Sequence, residues 1–251
     1  MSKKQTITTT DTDIPTSDGV STATHVAVGV NIHKPYRLAI SKEALAELPM
    51  VTYAGGITIV ESEDMVRVAL RELRRHKIVG FDTETRPSFH KGRLHKVALM
   101  QLSTREHCFL LRLNKLGGIS EALKDFLEDT AVTKIGLSVH DDFNSLRRTR
   151  QDLEPQGFVE IQEYIKRFNI TDISLQKVYA IVFEQRISKA QRLTNWESET
   201  LTDGQQAYAA LDAWACLHLY DYLNGGHFDP SKSRYRIAET DDEQTPLSVA
   251  Q

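Results

Sequence analysis

The sequence has few cysteines, no long hydrophobic run and no large excess of charge of either sign. Its 251 residues include 2 cysteines, Cys108 and Cys216. Their separation does not match the short spacings of a metal site, and each lies in an apolar context. We therefore expect both to be small core residues, which argues against a protein held together by disulfides.

Segments that would direct the chain to a membrane are also lacking. No apolar run approaches the roughly 20 residues that span a bilayer. Residues 1–22 are rich in Ser and Thr, contain no Arg, and include no apolar stretch typical of a signal peptide. The sequence therefore predicts a cytoplasmic protein with no membrane partner. A net charge of −3 gives no global attraction to nucleic acid, so any basic surface must be local.

The most informative stretch is a short apolar run that ends in two carboxylates. Residues 78–81 favour a buried strand, and Asp82 and Glu84 follow directly, separated by Thr83. Side chains two residues apart share a strand face, so we expect Asp82 and Glu84 side by side. Such a pair repels and loses hydration unless a cation compensates it, and oxygen ligands favour Mg²⁺ or Mn²⁺. A solvated strand end would show the same pattern, so this motif is weak by itself.

The composition divides the chain into segments. The segments are a polar, disordered tail (1–24), an extended lead-in (25–56), the main domain (57–225) and a polar C-terminal tail (226–251). Inside the main domain, three consecutive strands that begin at Ile78 predict an antiparallel meander.

A third acid stands where a predicted strand passes into a helix. The apolar run 134–139 predicts a strand, and Asp142 follows it closely. Acids at a helix start are also ordinary partners of the helix dipole. The neighbouring Asp141 is the alternative ligand if the helix begins one residue earlier.

A fourth acid lies on the last predicted helix, from Gln205 to Tyr222. Thr202 and Gln205 fit the capping box that begins a helix. Tyr208 and Asp212 are four residues apart and share one face, among small and apolar neighbours. A buried Asp needs a partner, which a metal ion, an arginine or a backbone group could provide.

These acids, in their order and context, resemble the motifs of a known family. The pattern is Asp82-x-Glu84 after a strand, then Lys134-x-Gly136-x5-Asp142-x3-Leu146, then Tyr208-x3-Asp212 on a late helix. It resembles the 3′-5′ exonuclease domain of the DnaQ-like superfamily, in the branch with tyrosine in its third motif. Ribonuclease D and the Werner-syndrome exonuclease domain belong to that branch. The resemblance covers roughly residues 40–225.

The resemblance implies an α/β, ribonuclease H-like fold with a mixed central β-sheet flanked by α-helices. It implies hydrolysis of nucleotides from the 3′ end of DNA or RNA with two divalent cations, Mg²⁺ or Mn²⁺. By motif match, Asp82 would bridge both ions, Glu84 and Asp212 would complete the first, and Asp142 would hold the second directly or through water. Tyr208 would position the attacking water, since a phenol with a pKa of about 10 is a poor base.

Positive charge predicts the surface that holds the nucleic acid. No acid lies between Arg86 and Lys96, a run that also suits an ordinary solvated face. Trp196 is expected to anchor its loop rather than to stack on bases. The predicted nucleic-acid-binding residues are Arg86, Lys91, Arg93, Lys96, Arg147, Lys189 and Arg192.

Two other functions compete with this interpretation. A nucleic-acid-binding module of the same fold without catalysis is disfavoured, because all four acids and Tyr208 are present. A haloacid dehalogenase-type phosphatase is suggested by residues 81–85, but its second acid is normally Asp. The preference for DNA or RNA, an unidentified protein partner and the oligomeric state stay open.

Overall fold

The computed structural model describes residues 36–88 and 95–238. The strands are β1 (Tyr36–Leu38), β2 (Gly56–Val60), β3 (Ile78–Thr85), β4 (Val97–Ser103), β5 (His107–Leu111), β6 (Thr133–Gly136), β7 (Phe158–Glu160) and β8 (Arg236–Ala238). The α-helices are α1 (Lys42–Ala46), α2 (Glu63–Leu73), α3 (Leu113–Leu116), α4 (Glu121–Glu128), α5 (Val139–Arg147), α6 (Ile161–Tyr164), α7 (Leu175–Phe183) and α8 (Asp203–Asn224).

A six-stranded mixed sheet in the order β2-β5-β4-β3-β6-β7 forms the centre of the fold. Strands β3, β4 and β5 are antiparallel neighbours, which confirms the predicted meander. Strands β2 and β5 pair in parallel, and so do β3 with β6 and β6 with β7. Helices flank this sheet, so the predicted α/β fold class is confirmed.

The central strand β3 has a different neighbour on each of its faces. Val79 and Phe81 are fully buried in an apolar cluster shared with α2 and α4. Gly80 faces α8, because a Cβ built there would lie 2.0 Å from the Ala213 carbonyl oxygen. Only glycine allows the two backbones to approach so closely. Asp82 and Glu84 continue the face of β3 that α8 covers.

Side-chain caps fix the starts of several helices. The Ser62 hydroxyl accepts a hydrogen bond from the backbone N–H of Met65 at the start of α2. Ser120 caps α4 in the same way. Thr202 and Gln205 form the predicted capping box of α8.

The predicted strand over residues 134–139 is wrong at its C-terminal end. Strand β6 stops at Gly136, and α5 already begins at Val139. Ser138 has a left-handed backbone conformation, with φ at 63°, which ends the extended chain. The close contact of Gly136 with Val139 leaves no room for a Cβ, since one would lie 2.6 Å from Val139 Cγ1.

The lead-in and the C-terminal segment meet in a second, two-stranded sheet. Strand β1 pairs antiparallel with β8, with Tyr36 opposite Ala238. The sequence does not predict this pairing, and the predicted tail over residues 1–24 lies outside the described residues. Leu38 at the end of β1 is fully buried, so the lead-in contributes to the core.

Both cysteines are core residues, as predicted. Cys108 lies in β5 and Cys216 in α8, and both are buried with free thiols. Across residues 36–88 and 95–238, the helices are all too short or too polar to cross a bilayer.

Candidate active site

Three carboxylates converge where β3 meets α8. Asp82 and Glu84 extend from one face of β3, and Asp212 reaches the same point from α8. One oxygen of each carboxylate lies within 4.8 Å of the other two. Asp212 is 7% exposed, so its charge has little access to bulk water. The structure thus brings together three of the four acids that the motifs single out.

The electrostatics of this cluster favour a bound cation. Burial, followed by the charges of Asp82 and its neighbours, raises the pKa of the Glu84 carboxyl. Burial and the Asp82 charge also raise the pKa of Asp212. Three ionised carboxylates at this distance are therefore unfavourable without a compensating charge. Oxygen-only donors match hard divalent cations, so the residues present fit such an ion.

The fourth acid, Asp142, lies in the first turn of α5 and is connected to β3. The Thr83 hydroxyl donates a hydrogen bond to Asp142 Oδ1. Burial and the Asp82 charge raise the pKa of the Asp142 carboxyl, which places it electrostatically in the same site. Asp141 is exposed on α5. The geometry therefore favours Asp142 over its neighbour.

A remote glutamate fixes the start of the helix that carries Asp142. Glu160 Oε1 accepts from the Ser138 N–H at 3.0 Å, and Oε2 accepts from the Val139 N–H at 2.7 Å. Gln162 Nε2 donates to the Ser138 hydroxyl at 2.9 Å. These contacts hold the left-handed Ser138 in place. Sequence reasoning missed Glu160 because it lies 22 residues after Ser138 and no local pattern marks it.

Tyr208 lies one turn before Asp212 on α8, so the two side chains project from the same side of the helix. Burial, and then the negative charge of Asp212, raises the pKa of the Tyr208 hydroxyl above its usual value of 10.0. The hydroxyl is therefore a stable hydrogen-bond donor. The Tyr208 ring packs near Trp196, with the ring centroids 6.1 Å apart. Trp196 is fully buried, which confirms that it anchors its loop.

Arg112 holds the loop that precedes α8. Its side chain is 1% exposed and donates to the carbonyl oxygens of Ser198 and Glu199. It also pairs with Glu61 at 3.1 Å. The loop that carries Lys189 and Arg192 is thereby fixed close to its C-terminal end. The sequence gives no local indication of this role, because an arginine that follows a strand is usually exposed.

Two of the predicted cations, Lys189 and Arg192, lie beside the acids. Both line a cavity of about 350 Å³ together with Tyr208 and Asp212. The Lys189 charge lowers the pKa of Asp212, and the Arg192 charge lowers the pKa of Glu84, against the larger effects of burial. Both are exposed, and neither forms an ion pair with a residue of 36–88 or 95–238.

The other predicted cations are placed less directly. Arg86 forms an ion pair with Glu197 at 3.2 Å, and Lys96 is exposed just before β4. Arg147 Nε donates to the Leu153 carbonyl at 3.1 Å. Arg147 follows Asp142 by five residues, which on an α-helix corresponds to a net rotation of about 140°. Arg147 therefore points away from the side of α5 that carries Asp142. Lys91 and Arg93 lie outside the described residues.

The mixed sheet, its flanking helices and the acidic cluster at the junction of β3 and α8 define a ribonuclease H-like domain. A family model described as 3′-5′ exonuclease matches residues 57–225, and the chain belongs to this family. The resemblance inferred from the motifs is thus confirmed at the level of the family.

Individual relatives agree with this assignment. The bifunctional 3′-5′ exonuclease/ATP-dependent helicase WRN of Mus musculus is 30% identical over 151 residues, which are 58% of this chain and 11% of that protein. A 3′-5′ exonuclease of Arabidopsis thaliana is 28% identical over 206 residues, 74% of this chain and 70% of that protein. The chain therefore spans only about a tenth of the length of the mouse protein. The crystal structure of the Aedes aegypti Nibbler EXO domain shares the fold, with a TM-score of 0.62, 21% identity, and coverage of 72% of this chain and 96% of that one.

Proposed function

We propose that the protein is a metal-dependent 3′-5′ exonuclease that removes nucleotides from the 3′ end of DNA or RNA. The observation that carries the proposal is the convergence of Asp82, Glu84 and Asp212 within 4.8 Å, with Tyr208 beside them. The family is one of exonucleases, and the cluster supports an active member. A nucleic-acid-binding module that has lost catalysis is the second candidate.

The acids would hold two divalent cations, Mg²⁺ or Mn²⁺. Asp82, Glu84 and Asp212 would ligate one, and Asp82 and Asp142 the other. Such ions polarise the phosphate, lower the pKa of the attacking water and stabilise the leaving oxygen. Four ionised carboxylates nearly neutralise two dications, which offsets the repulsion among the acids.

Tyr208 contributes a positioned hydroxyl rather than a base. Its raised pKa keeps the phenol protonated at neutral pH. The Asp212 carboxylate, one turn later on α8, would accept a hydrogen bond from this hydroxyl and so orient it. The phenol oxygen keeps lone pairs that can accept a hydrogen bond from the attacking water. Tyr208 therefore orients the nucleophile.

Lys189 and Arg192 would hold the phosphates of the strand. They border the cavity next to Tyr208 and Asp212, and both are exposed. Cations without carboxylate partners are free to pair with phosphate, and a guanidinium can bind it in a bidentate manner. The predicted cations in the sequence between Arg86 and Lys96, including these two, would contact phosphates farther from the 3′ end.

The test is degradation of DNA and RNA strands, single and recessed, labelled at the 5′ end and incubated with Mg²⁺ or Mn²⁺. We expect a ladder that shortens from the 3′ end and disappears with Asp82→Ala or Asp142→Ala. Asp141→Ala is the matched control, because Asp141 is the exposed neighbour of Asp142 on α5, and this variant should degrade substrate normally. Binding without degradation of any substrate would favour the non-catalytic module instead.

A further inference from the structure

One buried amide near the carboxylates has no hydrogen-bond partner among the described residues. Gln101 lies in β4 and is fully buried, and neither its Oε1 nor its Nε2 atom is hydrogen-bonded within residues 36–88 and 95–238. Every other residue of β4 is buried as well. An amide buried in this way costs free energy that an apolar side chain of the same size would avoid. Packing alone therefore gives no reason for a glutamine at this position.

The register of the sheet places Gln101 next to Asp82. The two residues are direct partners in the antiparallel pair of β3 and β4. Direct partners project to the same face, with Cβ atoms about 4.5–5.5 Å apart. This is the face that α8 covers, because Gly80, two residues before Asp82, contacts the backbone of Ala213. The amide therefore lies beneath α8, beside the carboxylate predicted to bridge both cations.

We propose that Gln101 is a positioning residue for this carboxylate, and that its Nε2 group donates a hydrogen bond to Asp82 when cations are bound. The inference rests on the proposed function. Ligating carboxylates are commonly held by hydrogen bonds from a second layer of side chains, and loss of such a partner weakens metal binding about 10- to 100-fold. A neutral amide suits this place because it can donate to the carboxylate without adding a positive charge that would repel the ions.

The first experiment replaces the amide by an apolar group of similar length. We expect Gln101→Met to have a melting temperature in EDTA equal to or above that of the wild type, and an Mn²⁺ affinity at least about tenfold lower by calorimetry. Ser103→Ala is the control, because Ser103 is a fully buried polar residue two positions along the same face of β4. Its Mn²⁺ affinity should stay within about twofold of the wild type, since its hydroxyl donates to the Thr104 carbonyl and not to the site.

Three results would overturn the proposal. Unchanged Mn²⁺ affinity in folded Gln101→Met would show that the amide does not act on the site. Weaker binding by the Ser103→Ala control would show that any loss of buried polarity in β4 has the same effect. A lower melting temperature in EDTA together with weaker binding would make Gln101 part of the framework of the sheet.

A second experiment observes the Gln101 side chain directly in wild-type protein. The side-chain N–H₂ signal of Gln101 in ¹⁵N-labelled wild-type protein, identified by its absence in Gln101→Met, should shift on titration with Mg²⁺. It should not shift in Asp82→Ala. If wild-type protein binds Mg²⁺ but the Gln101 signal does not move, the inference about Gln101 is wrong and the proposed function is unaffected. If wild-type protein binds neither Mn²⁺ nor Mg²⁺, the proposed function itself is wrong.

Discussion

The carboxylates of the site repel one another when they are ionised, and this repulsion favours the binding of cations among them. Asp82, Glu84 and Asp212 come within 4.8 Å of each other in a largely buried place. Burial raises the pKa of all three carboxyls, and the Asp82 charge adds to this effect for Glu84 and Asp212. A divalent ion reverses both effects, because it favours the ionised carboxylates and replaces their lost hydration. At the scale of single residues, therefore, charge rather than packing explains these side chains.

Replacement of Tyr208 separates the orientation of water from metal binding. We predict that Tyr208→Phe lowers the turnover number by on the order of 10²-fold, because it removes the hydroxyl that positions the nucleophile. Mn²⁺ affinity should change little, since the carboxylates stay in place. Tyr220→Phe, on the same helix but away from the acids, is the control for both measurements. Wild-type turnover by Tyr208→Phe would contradict the assigned role.

Lys189 and Arg192 should act on substrate binding rather than on chemistry. We predict that Lys189→Ala and Arg192→Ala each raise the KM several-fold, and that each reduces the slope of log affinity against log salt by about 1. Lys166→Ala is the matched control, because Lys166 is an exposed lysine paired with Glu163 outside the cavity. An unchanged salt slope in both variants would show that these cations do not contact phosphate.

At the scale of elements, the site depends on how closely α8 approaches β3. Asp212 reaches Asp82 only because Gly80 lets the Ala213 carbonyl touch the strand. Helix α8 runs without interruption from Asp203 to Asn224, and Asp212 directly precedes Ala213 on it. A displacement at Gly80 is therefore transmitted to Asp212.

The variant Gly80→Ala tests this dependence. Its Cβ would stand 2.0 Å from the Ala213 oxygen, so the helix must move outward. We predict a loss of about 2 kcal/mol or more in the free energy of unfolding, measured by urea denaturation. Mn²⁺ binding should also weaken, although no ligand has been replaced. A protein of wild-type stability and metal affinity would show that the contact is easily relieved.

Elements defined by short-range signals could be predicted from the sequence. The period of two in β3 places Asp82 beside Glu84, and the spacing of four on α8 places Tyr208 beside Asp212. Serine and threonine caps mark the helix starts because they bond to N–H groups only two or three residues away. The assembly of the acids at one point followed from the resemblance to the family rather than from these signals.

Features that depend on distant partners could not be predicted in this way. Glu160 caps α5 from 21 residues away, and Arg112 reaches the loop before α8 across 86 residues. Gln101 stands in an apolar strand, where a single amide does not reveal that it faces a carboxylate on the next strand. The pairing of β1 with β8 joins the two ends of the described chain, and short strands of three residues give no periodic signal.

At the scale of the whole molecule, one buried cation connects stability to pH. Lys134 lies in β6 and is fully buried. Its Nζ donates to the Asp129 carbonyl at 2.7 Å and to the Phe126 carbonyl at 3.3 Å. Burial lowers the pKa of Lys134 to about 8, whereas an unfolded lysine titrates near 10.4. Between these pH values the unfolded chain binds more protons, so this residue makes stability rise with pH.

The variant Lys134→Met removes this pH dependence. We predict that the wild type gains on the order of 1–3 kcal/mol of unfolding free energy relative to the variant between pH 8 and pH 10.5. Below pH 8 the difference between the two proteins should be constant, since Lys134 is protonated in both the folded and unfolded states. Denaturation by urea across this range measures the difference. A constant difference over the whole range would mean that Lys134 keeps an ordinary pKa when folded.

The most direct test of the central claim compares one strand labelled at its 5′ end with the same strand labelled at its 3′ end, each with Mg²⁺. The account predicts that the 5′ label appears in a ladder of progressively shorter strands, while the 3′ label is released at once as a mononucleotide. Both signals should vanish with EDTA and with Asp82→Ala. Release of the 5′ label as a mononucleotide, or degradation that survives Asp82→Ala, would contradict a metal-dependent 3′-5′ exonuclease at this site.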